Sequence, residues 1–212
     1  MLYIKSFTFN TLLENTYLVY DDTKQCIVVD PGCYSQQEKN TVANFIYKNK
    51  LQITHLINTH CHIDHVVGNH FIKTTYQVPL SIHSLEKDNL KLALAFSGNY
   101  NMPNYIPCDP DVFLNKKKYI TVGNYTLDIL FLPGHSLGHI ALYEKKNKLC
   151  IAGDVLFKKS IGRTDLPGGD YNTLMHSIKN TLFLLDNDTT IYPGHGKTTT
   201  IGNEKKYNSF FK

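Results

Sequence analysis

Four apolar, strand-like segments of the sequence each end in a turn that carries histidine or aspartate. The first segment covers residues 53–58 and leads into the run Thr59-His60-Cys61-His62-Ile63-Asp64-His65. The other three segments end in glycine turns with one donor each: Pro133-Gly134-His135, Gly153-Asp154 and Pro193-Gly194-His195. Glycine permits a tight turn and lets the donor approach a crowded centre. This recurrence indicates a shared metal site rather than unrelated packing residues.

The donor types in these turns suit a transition metal. Side chains repeat with period two along extended chain, so His60 and His62 are predicted to lie on one side. Asp64 and His65 follow in a turn and can be aimed at a neighbouring point. Histidine with carboxylate favours zinc, iron or manganese over calcium.

Other candidate donors have simpler interpretations. Cys61 should point away from the side that His60 and His62 share, which predicts a packed thiol. Asp30 ends a strand, where it either accepts turn hydrogen bonds or orients a ligand histidine. Five further histidines are predicted to be ordinary core residues: His55, His70, His83, His139 and His176.

Short strands separated by turns dominate the pattern, with helices between and after them. Strands are predicted over residues 2–9, 16–20, 26–29, 53–58, 80–82, 119–122, 126–132, 140–144, 149–152 and 190–192. Helices are predicted up to residue 48, over 69–76, from residue 84, over 171–185 and near the end. Ser35 and Glu38 form a capping box for the first helix. Residues 97–111, with three prolines, are predicted to be a surface loop. The order favours an α/β fold of two sheets packed face to face and flanked by helices.

Composition narrows the class of protein. The chain has 212 residues, 42% hydrophobic and 19% charged, which predicts a single domain over residues 1–212, either one large domain or two closely packed halves. A net charge of +4 is too small and dispersed for a nucleic-acid surface. No apolar run approaches the ~18 residues that span a bilayer, and no export signal is visible. Five separated cysteines without a Cys-x-x-Cys pair predict free thiols in a reducing cytoplasm.

The four donor turns together resemble the metallo-β-lactamase fold superfamily over nearly the whole chain. Two stretches resemble its small bacterial type II glyoxalases, or hydroxyacylglutathione hydrolase-like proteins: Ile161-Gly162-Arg163-Thr164-Asp165-Leu166-Pro167-Gly168-Gly169 and Pro193-Gly194-His195-Gly196. The resemblance implies a four-layer αββα sandwich of two mixed β-sheets flanked by helices. It also implies a thioester substrate such as S-lactoylglutathione or a related hydroxyacyl thioester. The chain is expected to act as a monomer or homodimer, without membrane or nucleic-acid partners.

The resemblance further implies two divalent metal ions, zinc first, with iron or manganese as alternatives. One ion would be held by His60, His62 and His135. The other would be held by Asp64, His65 and His195, with Asp154 bridging both. Asp64 and Asp154 would then be catalytic, together with a metal-bound hydroxide that attacks the thioester. Only residues 196–212 follow the last ligand, so the helical domain that contacts glutathione in larger relatives is not expected here.

Substrate contacts are implied for basic residues that follow the bridging aspartate. Arg163 occupies the place of a substrate-binding basic residue, and its fork-shaped guanidinium suits a carboxylate. Alternatively, Arg163 pairs with Asp165 to brace the loop. Lys158 and Lys159 are additional candidates.

Two other functions stay open on sequence grounds. A sulfur dioxygenase of the same fold would use a single ferrous ion, held by two histidines and one aspartate, to oxidise persulfides. A non-catalytic metal-binding module is the second alternative, although structural zinc sites are usually closed and rich in cysteine. Hydrolysis of β-lactams or nucleic-acid phosphodiesters is disfavoured, because neither an export signal nor a basic exosite is visible.

Overall fold

Two mixed six-stranded sheets form the framework of the protein. The computed structural model describes residues 1–212 and divides them into two compact units. The first unit comprises Met1–Lys116 with Thr121–Thr126, and the second comprises Lys117–Ile120 with Leu127–Lys212.

The sheet of the first unit follows the chain order from one edge to the other. Its strands are β1 (Leu2–Phe9), β2 (Glu14–Asp21), β3 (Gln25–Val29), β4 (Gln52–Ile57), β5 (Leu80–Ile82) and β6 (Val112–Phe113). The first three strands are antiparallel, and the pairings from β3 to β6 are parallel. Strands β2 and β3 are buried almost throughout, and the buried residues of β2 include the polar side chains of Glu14, Asn15, Thr16 and Asp21.

The first unit contains four α-helices. They are α1 (Gln36–Lys48), α2 (Ile63–Val66), α3 (Asn69–Tyr76) and α4 (Lys87–Phe96). The predicted capping box of α1 is confirmed, because the Ser35 side chain accepts from the Glu38 N–H and the Glu38 carboxylate accepts from the Ser35 N–H. Val42 and Ile46 of α1 share one apolar core with the sheet.

The predicted loop over residues 97–111 is more firmly held than its composition indicates. It begins with a 3₁₀ turn, Ser97–Tyr100, and contains no further helix or strand. Met102 and Tyr105 are nevertheless buried in the apolar core of the first unit. Burial raises the pKa of the Tyr105 hydroxyl. The loop therefore lies on the unit with two side chains anchored inside it.

The second sheet, most of whose residues belong to the second unit, also follows chain order, although a separate hairpin lies between its fourth and fifth strands in the sequence. Its strands are β7 (Tyr119–Val122), β8 (Tyr125–Phe131), β9 (Ile140–Glu144), β10 (Leu149–Gly153), β13 (Thr190–Pro193) and β14 (Thr199–Thr200), and a separate hairpin is formed by β11 (Leu156–Phe157) and β12 (Ser160–Ile161). Strands β10 and β13 are parallel, whereas β8 with β9, β9 with β10 and β13 with β14 are antiparallel. The predicted α/β fold with two mixed sheets is confirmed.

The helices of the second unit are α5 (Tyr171–Asn180) and α6 (Ile201–Tyr207). The prediction that α5 continues to residue 185 is wrong. Thr181 leaves helical geometry at φ −129° and ψ −63°, and a 3₁₀ turn, Leu182–Leu184, follows. The turn places Leu182 in the apolar core of this unit. No helix of either unit combines the length and apolarity needed to cross a bilayer.

All five cysteines are free thiols, as predicted. Burial raises the pKa of Cys33 and of Cys150 to about 12, and it raises the pKa of Cys61 well above its usual range. Cys61 is fully buried in the core of the first unit. The prediction that Cys61 is a packed thiol is confirmed.

Candidate metal centre

The first unit brings its predicted histidines together at the end of β4. The rings of His60 and His62 lie edge to face, with centroids 4.7 Å apart. His60 is fully buried, whereas His62 is partly exposed. The prediction that both rings share one side of the chain is confirmed.

Helix α2 adds the next two candidate ligands in a single turn. His62 caps this helix, and its carbonyl oxygen accepts from the His65 N–H at 3.1 Å. The ring of His65 lies 4.1 Å from that of His60, centroid to centroid. Both Asp64 and His65 are buried. Four predicted ligands thus come from six consecutive residues.

Asp30 holds Thr59 and His65 in place through hydrogen bonds. Its carboxylate accepts from the Thr59 N–H at 2.7 Å, from the Thr59 hydroxyl at 2.6 Å and from Nδ1 of His65 at 3.1 Å. The Asp30 carboxylate, His60 and His65 offer possible ligand atoms within 4.8 Å of one another. The carboxylate, however, already accepts the three hydrogen bonds from Thr59 and His65. The backbone of Asp30 is left-handed, with φ 50°, a conformation that aspartate tolerates. The structure thus shows both contacts expected of Asp30, hydrogen bonds from the turn after β4 and a hydrogen bond with a histidine proposed as a ligand.

The tautomer of His65 follows from that contact. Because Nδ1 donates to Asp30, Nε2 presents its lone pair on the opposite side of the ring, where the Asp64 Oδ2 atom lies 3.6 Å away. This separation is too long for a hydrogen bond, whereas two ligands of one tetrahedral zinc ion lie about 3.3 Å apart. The donor pair therefore fits a shared cation.

A second acid, Glu14, lies beside His65 and was not predicted from the sequence. Its Oε1 atom is 3.9 Å from Nδ1 of His65, and its Oε2 atom accepts from the Thr16 hydroxyl at 2.9 Å. Burial raises the pKa of Glu14 well above its usual value, against the opposing effect of His65. Two buried acids thus lie on the Nδ1 side of one histidine.

The second unit brings its own three candidate ligands together. Strands β10 and β13 run parallel, with Gly153 opposite Pro193, so Asp154 and His195 emerge at neighbouring strand ends. The Asp154 Oδ2 atom lies 3.5 Å from Nε2 of His195 and 3.7 Å from Nε2 of His135. One carboxylate oxygen thus faces two imidazole nitrogens at separations typical of metal ligands.

His135 is held in the tautomer that a metal needs. Its Nδ1 atom lies 2.8 Å from the carbonyl oxygen of Arg163, which can only accept, so Nδ1 donates and Nε2 carries the lone pair. The lone pair points towards Asp154, another electron-rich group. This arrangement is stable with a cation between them, as in the common carbonyl–histidine–metal motif.

Gly162 makes this contact possible. A Cβ atom added there would lie 1.9 Å from the Asp154 carbonyl oxygen and 3.2 Å from Nδ1 of His135. The chain after β12 therefore approaches two proposed ligands more closely than any side chain allows.

His139 has a role that sequence reasoning missed. It is fully buried, as expected of a core residue, but its Nε2 atom accepts from the Asp154 N–H at 3.1 Å. It thereby fixes the backbone of the proposed bridging ligand. The signal in the sequence was the position of His139, four residues after His135 and directly after Gly138.

The proposed substrate-binding residues lie between Asp154 and helix α5. Arg163 forms two hydrogen bonds of 2.7 Å with the Asp165 carboxylate, which lowers the pKa of Asp165 to about 2. Both side chains are largely exposed. Lys158 and Lys159 are exposed in the turn between β11 and β12. The bracing interaction between Arg163 and Asp165 is therefore present.

The hairpin that carries these lysines is tied to its own unit. The Lys159 N–H donates to the Glu204 carboxylate of α6 at 2.7 Å, and Phe157 lies edge-on to His195, centroids 6.2 Å apart. Neither Glu204 nor this pairing was predicted from the sequence.

The fold and these donor groups define a metal-dependent hydrolase of the metallo-β-lactamase superfamily, and the chain belongs to that family: the family's sequence model matches residues 10–195. Among its relatives is the hydroxyacylglutathione hydrolase GloC of Haemophilus influenzae, 36% identical over 200 residues that cover 93% of this chain and 92% of that protein.

Solved structures agree across the whole chain. The crystal structure of the BLEG-1 B3 metallo-β-lactamase superposes with a TM-score of 0.91 at 32% identity, covering 99% of this chain and 100% of that one. A di-iron-bound form of TTHA1623 superposes with a TM-score of 0.84 at 30% identity, covering 97% of this chain and 99% of that one. The predicted metallo-β-lactamase fold is confirmed.

Proposed function

We propose that this protein hydrolyses thioesters at a centre of two divalent metal ions, zinc first, built from both donor groups. In this proposal His60, His62 and His135 would hold one ion, Asp64, His65 and His195 would hold the other, and Asp154 would be shared by both. When bound, such ions lower the pKa of coordinated water and stabilise negative charge on a carbonyl oxygen.

The position of Asp154 carries the proposal. Its Oδ2 atom is nearly equidistant from two imidazole nitrogens, 3.5 Å from His195 and 3.7 Å from His135. A structural zinc site would be closed by four ligands and rich in cysteine. The donors here are histidine and aspartate, and Cys61 is buried in the apolar core of the first unit. Partial exposure of His62 and His195 leaves the donors accessible to a substrate.

The thioester assignment is supported by the relative named hydroxyacylglutathione hydrolase, 36% identical to this chain. Several residues orient the proposed ligands for that chemistry. Asp30 and the Arg163 carbonyl set the tautomers of His65 and His135, and the His139 ring sets the backbone of Asp154. The five free cysteines support work in a reducing compartment, as in the cytoplasm.

Metal content measured together with thioester hydrolysis tests the proposal. We expect elemental analysis of protein purified without added metal to find two zinc ions per chain. A chelator should abolish turnover of S-lactoylglutathione, and added zinc should restore it. Metal at about a thousand times its dissociation constant should raise the free energy of unfolding by about 4 kcal/mol.

One result would overturn this proposal and point to a different chemistry. A single iron per chain with no thioester turnover contradicts it and directs attention to oxygen uptake with persulfide substrates. Two irons with thioester turnover would retain the reaction and change only the metal.

We further propose that Arg163, with Lys158 and Lys159, binds the anionic part of the thioester. A guanidinium that binds a carboxylate contributes about 1.5–3 kcal/mol, so R163M should raise KM for S-lactoylglutathione at least about tenfold. D165N releases the guanidinium from its partner and should leave KM unchanged or lower it.

Steady-state kinetics of both variants and of the double variant separate the two roles of Arg163. If Arg163 only braces the loop, R163M and D165N should impair the enzyme equally and their effects should not add. K146M serves as a control, because it removes an exposed charge from the turn between β9 and β10. It should leave KM unchanged.

A further inference from the structure

The buried acid Glu86 lies next to the turn that carries the first proposed ligands. It ends the 3₁₀ turn Ser84–Glu86 that precedes α4, and its side chain is fully buried. Its Oε2 atom accepts from the Cys61 backbone N–H at 2.8 Å and from the Asn89 side chain at 2.8 Å. The Cys61 N–H belongs to the residue between His60 and His62.

A second buried acid holds the other side of His60. Asp30 accepts from the N–H of Thr59 at 2.7 Å, and Glu86 accepts from the N–H of Cys61 at 2.8 Å. The backbone on both sides of His60 is therefore tied to a carboxyl group delivered by a distant part of the chain. Such contacts limit the rotation of the peptide groups that aim His60 and His62.

We infer that Glu86 is a positioning residue for the metal centre, which holds the turn His60-Cys61-His62 in ligand geometry through the Cys61 N–H. This inference rests on the proposed metal-dependent function. Glu86 acts through the turn and does not contact substrate. Its loss should weaken metal binding, because partners that orient ligands typically contribute 10–100-fold in metal affinity.

Two substitutions separate the hydrogen bond from packing. E86M keeps a side chain of similar length but removes the acceptor, and zinc affinity in a competitive chelator titration should fall about 10–100-fold. E86Q retains a carbonyl oxygen that can accept from Cys61, so its affinity should stay within about threefold of the wild type. The visible spectrum of the cobalt-loaded protein should change in E86M and return in E86Q.

A matched control uses Glu144, a buried acid that accepts from the N–H of Asn147 in the turn after β9. E144M loses a comparable contact outside the ligand turns and should keep wild-type affinity and cobalt spectrum. If E86M does not fold, E86D carries the test, because its shorter side chain withdraws the acceptor; affinity should fall about tenfold.

The outcomes are distinguishable. A folded E86M or E86D protein with wild-type zinc affinity and cobalt spectrum would overturn the inference while leaving the proposed function intact. An E86Q protein as impaired as E86M would overturn the hydrogen-bond assignment. A wild type that takes up no metal would overturn the proposed function, and the inference with it.

Discussion

Substituting asparagine for Asp154 should abolish most of the activity while leaving the fold intact. The carboxylate oxygen that faces His135 and His195 at 3.7 and 3.5 Å loses its negative charge, although the side chain keeps its shape. Metal content should fall from two ions to one or none. Loss of several kcal/mol of transition-state stabilisation should lower kcat on the order of a thousandfold.

Elemental analysis and steady-state kinetics with S-lactoylglutathione measure both effects. The control is D188N, which removes an exposed aspartate paired with Lys148 in the same unit. Exposed pairs of this kind contribute at most about 1 kcal/mol to stability, so D188N should retain metal and turnover. A D154N protein with two ions and wild-type kcat would refute the bridging role.

The second large effect is expected at Gly162, a residue without a side chain that could bind metal or substrate. A methyl group there would meet the Asp154 carbonyl oxygen at 1.9 Å, so the chain must move. That movement displaces the Arg163 carbonyl that orients His135. We expect G162A to lower the free energy of unfolding by about 1–3 kcal/mol, the usual cost of overpacking. Turnover should fall on the order of a hundredfold, because small misplacements of catalytic groups have effects of that size.

Urea unfolding with and without zinc, together with kcat, tests this prediction. The matched control is G98A, because a Cβ at Gly98 meets no atom within 4 Å. G98A should leave both measurements unchanged. Wild-type kcat in G162A would show that the close approach of this turn to the ligands is not needed for activity.

Local patterns predicted which histidine and aspartate side chains lie close together, because within each donor group that proximity depends on local geometry. The two-residue period of extended chain predicted that His60 and His62 share a side, and their rings lie 4.7 Å apart. The Ser35 capping box likewise depends only on residues four apart or closer. Strand-end context identified Asp154 and His195 without any knowledge of how β10 and β13 pair.

The supporting residues Glu86 and Glu204 were not predicted because they act across long stretches of chain and, unlike Asp30, do not end an apolar strand. Glu86 reaches a backbone N–H that is 25 residues away, and Glu204 reaches one that is 45 residues away. No periodicity links such positions. The hairpin of β11 and β12 has strands of two residues each, too short for an alternating pattern. The end of α5 was missed because Leu174, Ile178 and Leu182 continue a helical spacing of buried residues past Thr181, where the backbone leaves helical geometry.

The strand order of the two sheets has a consequence for biosynthesis. In each sheet, every new strand adds beside the one made before it, and no strand inserts between two earlier ones. A chain leaving the ribosome from its N-terminus can therefore extend the first sheet by one edge at a time. When β4 has joined that edge, the turn with His60 and His62 emerges next, already attached to a completed strand. Four of the seven proposed metal ligands thus gain their framework before the strands of the second sheet have left the ribosome.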